Sequence, residues 1–338
     1  MTSTFLRTLT VAGSLLAAVV AAATEMKIAT LAPDGSFWME ELRRAGDEIE
    51  RRTEGRVSLR FYPGGSMGNE QAMLRKIRIG QLHGAAMMSG ALSSVEPDLE
   101  VYSLPLTFHS YEEVDLVRER VDPELRSRLE DDGLVSFGFI EGGFAYLMST
   151  RPTRTLADLK GQKAWIPEGD AVGQAILEAA GLTPVPLQLS DVLTGLQTGL
   201  IDVVAGPPVG AVALQWFTKV RYLTEVPILY SYGALTIGER AFARLPADDR
   251  KTVRAVLEET TRTLDERARE DNARALEALA RQGVERVAFD DAALEEWQGV
   301  ARRANVLLEE RLEVDPELRR RVRSLLDEHR ADHAAADD

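Results

Sequence analysis

Apolar positions along this chain alternate between two spacings. Short β-rich runs such as KIATLA and VSLRFY are each followed by apolar residues three and four positions apart, which is typical of an amphipathic helix. The first two helices are predicted over residues 36–52 and 69–79, and Gly80 ends the second. Strands separated by helices of this length predict parallel βαβ units rather than a sandwich of two antiparallel sheets.

The same theme returns in the second half of the chain, with a predicted strand over 162–167 and a helix over 171–180. Two longer apolar runs, 134–150 and 222–238, are predicted to cross between two domains. Gly142-Gly143 interrupts the first of them, and glycine tolerates the change of dihedral angles that a hinge requires. The charged helix predicted over 247–282 is too long for one small domain, so we expect it to lie across both.

The N-terminal segment has the three parts of a secretory signal. Arg7 is followed by an apolar core over residues 9–20 and by small residues at Ala21 and Ala23. We predict cleavage after about Ala23 and a periplasmic location. The alternative is a membrane anchor, but the apolar core is shorter than the roughly 20 residues that span a bilayer.

Composition narrows the function classes. The chain has 338 residues, of which 45% are apolar and 28% charged, enough for two packed α/β domains. Its net charge of −14 and its interleaved basic residues argue against nucleic acid as a partner. It contains no Cys, which excludes a disulfide, a thiolate metal site and a lipid-modified cysteine.

Known catalytic and cofactor motifs are missing from the sequence. The glycines of PGGSMG precede a helix, but no Lys-Ser/Thr pair follows them as in a phosphate-binding loop. The four histidines lack metal-ligand spacing, although the last two are four residues apart, so we predict neither a metal nor a cofactor. These histidines are His83, His109, His329 and His333.

Glu168 and Asp170 are the one candidate acid/base pair, because two carboxyls with separated pKa values can perform such catalysis. Beside Pro167 and Gly169, however, they are more simply explained as turn and helix-capping residues. The preferred interpretation is a two-lobed protein that captures a molecule rather than one that transforms it.

Four segments, in this order and spacing, resemble the secreted solute-binding subunits of tripartite ATP-independent periplasmic (TRAP) transporters. They are FYPGGSMGNEQAMLRKIRIGQL, VYSLPLTF, RPTRTLADLKGQKAWIPEGD and LQTGLIDVV. The resemblance runs from about residue 26 to 299. It implies an α/β, two-lobed periplasmic binding protein fold with crossing strands, a long helix spanning both domains and a cleft that closes on a ligand. It also implies TRAP membrane permease subunits as partners.

On this basis the chain divides into four parts. These are a signal peptide, 1–23; domain I, 24–142 plus about 231–268; domain II, 143–230 plus about 269–315; and a charged C-terminal helix and tail, about 316–338, which we expect to be solvated and frayed at its end.

The chain departs from the family where most members bind a carboxylate. Trp165 stands where the usual arginine clamps the substrate, and Ala145 where a second arginine is common. Gly206 and Pro207 replace acid and amide groups. The remaining candidate contacts lie at strand ends or at helix starts. The full set of predicted ligand-binding residues is Trp165, Ala145, Met87, Met88, Leu189, Gly206, Pro207, Phe37, Asn69 and Glu70.

Without these cations the cleft is predicted to bind an apolar or amphipathic organic solute. An enclosed carboxylate without a matching cation costs several kcal/mol, whereas ~300 Å² of apolar ligand surface supplies ~7 kcal/mol before association costs. On this interpretation Trp165 is a wall of the cleft. The alternative is that it belongs to the core, as a Trp near a strand end usually does. The missing arginines also resemble a branch of these transporters that uses a helical-repeat, TPR-like lipoprotein as a further partner.

Three other interpretations remain open. The protein could be an ordinary organic-acid receptor with a relocated cation, such as Arg151 or Arg154. It could be an enzyme on the same scaffold that uses Glu168 or Asp170. It could also be an interaction protein with a vestigial cleft, as the charged C-terminal helix suggests.

Overall fold

The computed structural model describes residues 23–337. The predicted signal peptide, apart from residue 23, therefore lies outside the described residues. The nine strands in this part of the chain are β1 Thr24–Thr30, β2 Val57–Tyr62, β3 Gly84–Met88, β4 Leu134–Ser149, β5 Ala164–Pro167, β6 Pro184–Leu187, β7 Val203–Gly206, β8 Tyr222–Gly238 and β9 Glu285–Val287.

The helices of the same part include those predicted over 36–52, 69–79, 171–180 and 247–282, each with bounds within one residue of the prediction. They are α1 Phe37–Arg52, α2 Glu70–Arg78, α3 Ser89–Leu92, α4 Tyr111–Asp131, α5 Leu156–Leu159, α6 Ala171–Ala179, α7 Val192–Thr198, α8 Pro208–Ala213, α9 Glu239–Phe242, α10 Ala247–Arg281, α11 Asp291–Arg311 and α12 Pro316–Asp337. Short 3₁₀ turns cover Pro97–Tyr102, Leu189–Asp191 and Trp216–Thr218.

Side-chain caps explain where several helices begin. The Ser36 hydroxyl accepts a hydrogen bond from the Met39 amide at 3.3 Å, and Asn69 Oδ1 accepts one from the Ala72 amide at 2.9 Å. Asp170 caps α6 in the same way through the Gly173 amide. Each bond satisfies one of the free amides in the first turn of a helix. The capping role predicted for Asp170 is thereby confirmed.

The strands form one sheet in the order β2-β1-β3-β8-β4-β7-β5-β6, with β9 added beside β8. We call β1 to β3 with the adjoining ends of β4 and β8 lobe one, and β5 to β7 with the opposite ends lobe two. Within each lobe the short strands pair in parallel, as predicted. The long strands β4 and β8 are antiparallel to each other and carry the sheet from one lobe into the other.

Strand β4 corrects one detail of the sequence interpretation. The two apolar runs predicted around Gly142-Gly143 are a single strand of 16 residues. The break survives as an irregularity, because the register with β8 shifts between Glu141 and Gly143 and Gly143 has a φ of 95°. The domain boundary that we placed at this point stays a prediction.

Helix α10 packs against both lobes, as expected. Val253, Val256 and Leu257 belong to the apolar core of lobe one, whereas Leu279 belongs to a core cluster of lobe two. Its 35 residues are long enough for this because an α-helix rises 1.5 Å per residue.

The C-terminal helix α12 is packed, so the expectation of a solvated, frayed tail is wrong for most of its length. Leu318, Val322 and Leu326 are buried against lobe one. They recur every four residues among charged neighbours, a spacing that places them on one helix face. The Arg330 guanidinium fixes the far end by donating to Glu113 at 2.7 and 2.9 Å. Between residues 23 and 337 no helix combines the length and apolar character needed to cross a membrane.

Candidate functional site

A cavity of about 350 Å³ lies between the two lobes. Lobe one contributes the start of α2 and the end of β3, the crossing strands contribute their middle, and lobe two contributes β5, β7 and the start of α6. The lining is predominantly apolar, and within the described part of the chain no Lys, Arg or His side chain belongs to it.

Most of the predicted ligand-binding residues meet in this cavity. The eight that line it are Asn69, Glu70, Met88, Ala145, Trp165, Leu189, Gly206 and Pro207. They come from both lobes and from a crossing strand, so their convergence depends on the fold rather than on sequence neighbours. Their role in binding remains a proposal.

Met87 and Phe37 do not line the cavity, and those two predictions need correction. Met87 is 3% exposed and packs in the core of lobe one, because successive side chains of a strand point to opposite faces and Met88 takes the cavity face. Phe37 lies at the start of α1, and the Arg267 guanidinium stacks on its ring, with 3.8 Å between the guanidinium carbon and the ring centre.

Trp165 both lines the cavity and belongs to the apolar core of lobe two. It lines the cavity, yet it is 7% exposed and belongs to an apolar cluster of lobe two. Its indole Nε1 donates to the Leu187 carbonyl at 3.0 Å, which fixes the plane of the ring. Its ring meets that of Trp216 edge to face, with centres 5.5 Å apart. The two interpretations that the sequence left open are therefore compatible.

Trp216 is a lining residue that the sequence interpretation missed. It follows α8 in a 3₁₀ turn, where no helical or strand periodicity marks a side chain as inward-facing. Gly206 makes room for it, because a Cβ atom at Gly206 would lie 3.2 Å from the Trp216 ring. That close approach is a physical reason for the glycine at the end of β7.

Carboxyl groups lie on both sides of the cavity. On the lobe-one side, Glu70 accepts a hydrogen bond from the Met88 amide at 2.8 Å, and burial raises its pKa to about 7. Glu100 is 3% exposed, and burial likewise raises its pKa to about 7, with a further contribution from the Asp170 charge. On the lobe-two side, burial raises the pKa of Asp170.

One hydrogen bond joins the lobes at the mouth of the cavity. Asn69 Nδ2 donates to Glu168 Oε2 at 2.9 Å, while Asn69 Oδ1 caps α2. Glu168 and Asp170 thus hold structural partners, and the acid/base arrangement imagined from the sequence is replaced by a contact between lobes and a helix cap.

The polar remainder of the lining is neutral. The hydroxyls of Ser89 and Ser103 lie 3.1 Å apart, and the Ser231 hydroxyl donates to the Gly143 carbonyl at 2.8 Å. Arg151 and Arg154, considered as relocated cations, are exposed and lie outside the lining. Within residues 23–337 no group of three or more His, Asp or Glu side chains is arranged so that it could hold a metal ion.

Two α/β lobes joined by crossing strands, with a cavity between them, define the class of periplasmic solute-binding proteins. The chain belongs to the DctP family, bacterial extracellular solute-binding protein family 7, whose profile matches residues 28–305. It is therefore a periplasmic receptor of the TRAP type rather than an enzyme. Proteins of this type bind small organic molecules and work with membrane permease subunits.

Curated relatives cover most of the chain at low identity. The 2,3-diketo-L-gulonate-binding periplasmic protein YiaO of Escherichia coli is 25% identical over 261 residues, 74% of this chain and 78% of that protein. The C4-dicarboxylate-binding periplasmic protein DctP of Rhodobacter capsulatus is 27% identical over 259 residues, 74% of this chain and 75% of that one.

Solved structures agree with the fold. A TRAP periplasmic solute-binding protein of Xanthobacter autotrophicus Py2, with bound β-D-galacturonate, has a TM-score of 0.80 at 22% identity and covers 88% of this chain and 99% of its own. DctP7 of Bordetella pertussis, a receptor binding pyroglutamic acid, has a TM-score of 0.81 at 22% identity over 91% of this chain and 100% of its own.

Proposed function

We propose that this protein captures an organic solute with a large apolar body in its interlobe cavity and delivers it to a TRAP permease. The observation that carries the proposal is the composition of the lining, in which apolar side chains predominate and no basic side chain of the described residues takes part. Trp165, Trp216 and Leu189 form its lobe-two wall. A cavity of this character rewards ligands that bury apolar surface.

Energies support this class of solute. Burial of ~300 Å² of apolar ligand surface contributes ~7 kcal/mol before the costs of association. A carboxylate placed in the same cavity would meet Glu70, Glu100 and Asp170 without a compensating cation. An enclosed charge without a partner costs several kcal/mol, enough to turn a micromolar binder into a millimolar one.

An organic acid is the second candidate, and the relatives favour it. YiaO and DctP are named for a sugar acid and for dicarboxylates, and the similar structures contain a uronate or bind pyroglutamic acid. These names give no support to the hydrophobic ligand predicted from the sequence. In this chain a carboxylate would depend on neutral donors such as the hydroxyls of Ser89, Ser103 and Ser231.

The solute retained by the protein distinguishes the candidates. We expect mass spectrometry of protein purified without denaturation to find a bound molecule with an extended apolar portion. The variant Ala145→Phe tests whether the molecule occupies the cavity. Ala145 lines the cavity and is 3% exposed, so a larger side chain at this position fills the space. That variant should fold and lose the molecule. Micromolar binding of succinate or galacturonate to the wild-type protein, measured by calorimetry, would contradict the apolar proposal and support the acid.

A further partner is also proposed. The absence of arginine at Trp165 and Ala145 supports membership of the branch that uses a helical-repeat, TPR-like lipoprotein beside the permease. We expect such a lipoprotein, purified separately, to bind this protein in analytical ultracentrifugation. Permease-dependent uptake that proceeds unchanged without it would remove the support for this partner.

A further inference from the structure

The buried carboxyl groups of this chain fall into two kinds. Seven acidic residues within the described part are buried, and five of them form ion pairs with arginine. These pairs are Glu41–Arg44, Asp98–Arg128, Glu113–Arg330, Glu141–Arg269 and Asp249–Arg56. Glu96 instead accepts a hydrogen bond from the Asp98 amide at 2.9 Å. Burial of a carboxylate is tolerated in such cases because a cation or an amide compensates it.

Glu100 is the exception, and it is the one of the seven that lines the cavity. It is 3% exposed and forms no ion pair with any described residue. The Ser93 hydroxyl, which also donates to the Gly90 carbonyl at 3.0 Å, is a neutral hydrogen-bond partner that partly offsets the effect of burial on the pKa of Glu100. Its strongest charged neighbour is another carboxylate, Asp170, from the opposite lobe. Among the described residues, Glu100 therefore has a neutral hydroxyl but neither a cation nor an amide as its partner, and it faces the cavity.

The charged side chains that line the cavity beside Glu100 are all acidic. Glu70 reaches the same cavity from lobe one, and Glu168 and Asp170 reach it from lobe two, while no described basic side chain lines it. A neutral hydroxyl on the solute would leave this charge unbalanced. A cationic head would balance it and would also be attracted to both lobes, which favours the closed arrangement.

We propose that the cavity is selective for an organic amine, whose protonated head lies between Glu100, Glu70 and Asp170 and whose apolar body packs against Trp165 and Trp216. This inference rests on the proposed function and specifies the polar end of its solute. Amine hydrogens serve as donors to the carboxylates, and the apolar body occupies the lobe-two wall. The acid-binding alternative predicts the opposite preference, for a solute with a negatively charged head.

The inference also predicts how binding depends on pH. An ammonium ion prefers ionised carboxyls, and burial raises the pKa values of Glu70 and Glu100 to about 7 in the free protein. Amine binding should therefore tighten as the pH rises from 6 to 8 and should release protons. Binding of an organic acid should weaken over the same range, since its charge then meets ionised carboxylates.

Three probes with the same body and different heads test the inference: n-octylamine, 1-octanol and octanoate. Calorimetry with the full mature chain at pH 7.5, stripped of retained solute, should find n-octylamine bound at least tenfold more tightly than octanoate. Glu100→Gln should weaken n-octylamine binding tenfold or more and change 1-octanol binding less than threefold. Glu70→Gln provides a second variant with the same expected direction. Glu313→Gln, at an exposed position away from the cavity, is the control and should change nothing.

The outcomes separate the two proposals. Octanoate that binds as tightly as n-octylamine, or amine affinity that is unchanged in both folded glutamine variants, overturns the amine inference while the apolar-solute function stands. If none of the three probes binds at millimolar concentration, both the inference and the apolar function are contradicted. Thermal melts establish that each variant is folded before its affinity is compared.

Discussion

Substitutions of Trp165 can separate its contribution to the stability of the fold from its contribution to solute binding. Trp165→Ala removes the contact with Trp216 and the hydrogen bond to the Leu187 carbonyl, and it enlarges the cavity. We expect it to lower the free energy of unfolding by about 3 kcal/mol, as for other large-to-small substitutions of packed aromatic residues, and to weaken solute binding. Trp165→Phe keeps most of the packing and should retain both properties in large part.

Urea denaturation and binding isotherms on these two variants check the prediction. An alanine variant that binds the retained solute as tightly as wild type would show that the indole contributes to stability and not to binding. An alanine variant of unchanged stability that cannot bind would show that the indole contributes only to binding.

Glu100 gives the ligand-free protein a pH-dependent stability. Because its folded pKa, about 7, lies above its ordinary value of 4.5, its stabilising effect is complete below pH 4.5 and is lost as the pH rises through 7. The loss for this group is on the order of 3 kcal/mol. We expect the free energy of unfolding to fall across this window, and Glu100→Gln to flatten the fall relative to wild type and to Glu313→Gln.

Glu70 titrates in the same window, so some slope should persist in the Glu100→Gln protein. Chemical denaturation at half-unit steps from pH 4.5 to 8 measures the effect. Identical slopes for wild type and Glu100→Gln would mean that the carboxyl is better solvated than its burial indicates.

The course of strand β4 depends on the pair Gly142-Gly143, which helix α10 holds in position. Gly143 has a φ of 95°, and a Cβ atom there would lie 2.6 Å from Asn272 Nδ2. Asn272 donates to the Gly142 carbonyl at 2.8 Å and accepts from the Val209 amide at 3.1 Å. Helix α10 thereby fixes the middle of the crossing strand and the start of α8 through one side chain.

Gly143→Ala should therefore cost more stability than backbone strain alone. Gly133→Ala is the matched control, since Gly133 has a φ of 89° but open space around its Cβ direction. We expect the control to cost about 1 kcal/mol and Gly143→Ala roughly 2–3 kcal/mol, because the second also displaces Asn272. Equal losses in urea denaturation would remove the role assigned to Asn272.

The sequence is informative where an element is long and its apolar pattern is clear. β8 spans residues 222–238 as predicted, and α10 ends within one residue of its predicted end. Short elements were harder to interpret. β3 is buried on both faces, so alternation does not reveal which of Met87 and Met88 faces the cavity. Trp216 lies in a turn, and the apolar face of α12 is hidden among charges, so only tertiary packing identifies them.

The residues of the cavity were likewise only partly predictable from the sequence. The departures at Trp165 and Ala145 marked the site from the sequence, because they occupy positions where the resemblance expects cations. Glu100 was missed, since a glutamate in an irregular turn normally indicates an exposed surface. Its importance follows only from the burial of residues 98–102 and from the Asp170 charge of the opposite lobe, which are contacts between segments far apart in the sequence.

We expect closure of the two lobes to depend on groups that meet across the cavity mouth, among them Asn69 and Glu168, whose side chains form a hydrogen bond of 2.9 Å. The affinity of a solute for a two-lobed receptor includes the free energy of bringing the lobes together. A change that destabilises the closed arrangement should therefore lower affinity. Asn69 lines the cavity and also offers such a change, because its oxygen caps α2 while its nitrogen contacts the opposite lobe.

Asn69→Asp should keep the cap, which needs only a side-chain oxygen, and should place two carboxylates against each other across the mouth. We expect the retained solute to bind about tenfold more weakly, corresponding to about 1.4 kcal/mol, and small-angle scattering of the solute-saturated protein to show a larger radius of gyration. Adding Glu168→Gln to the same chain restores a donor opposite the new carboxylate and should recover both values. Thermal melts of the ligand-free proteins should stay nearly equal, because the cap and the cores are unchanged. If the single variant matches wild type in affinity and in radius, the contact between Asn69 and Glu168 does not contribute to closure.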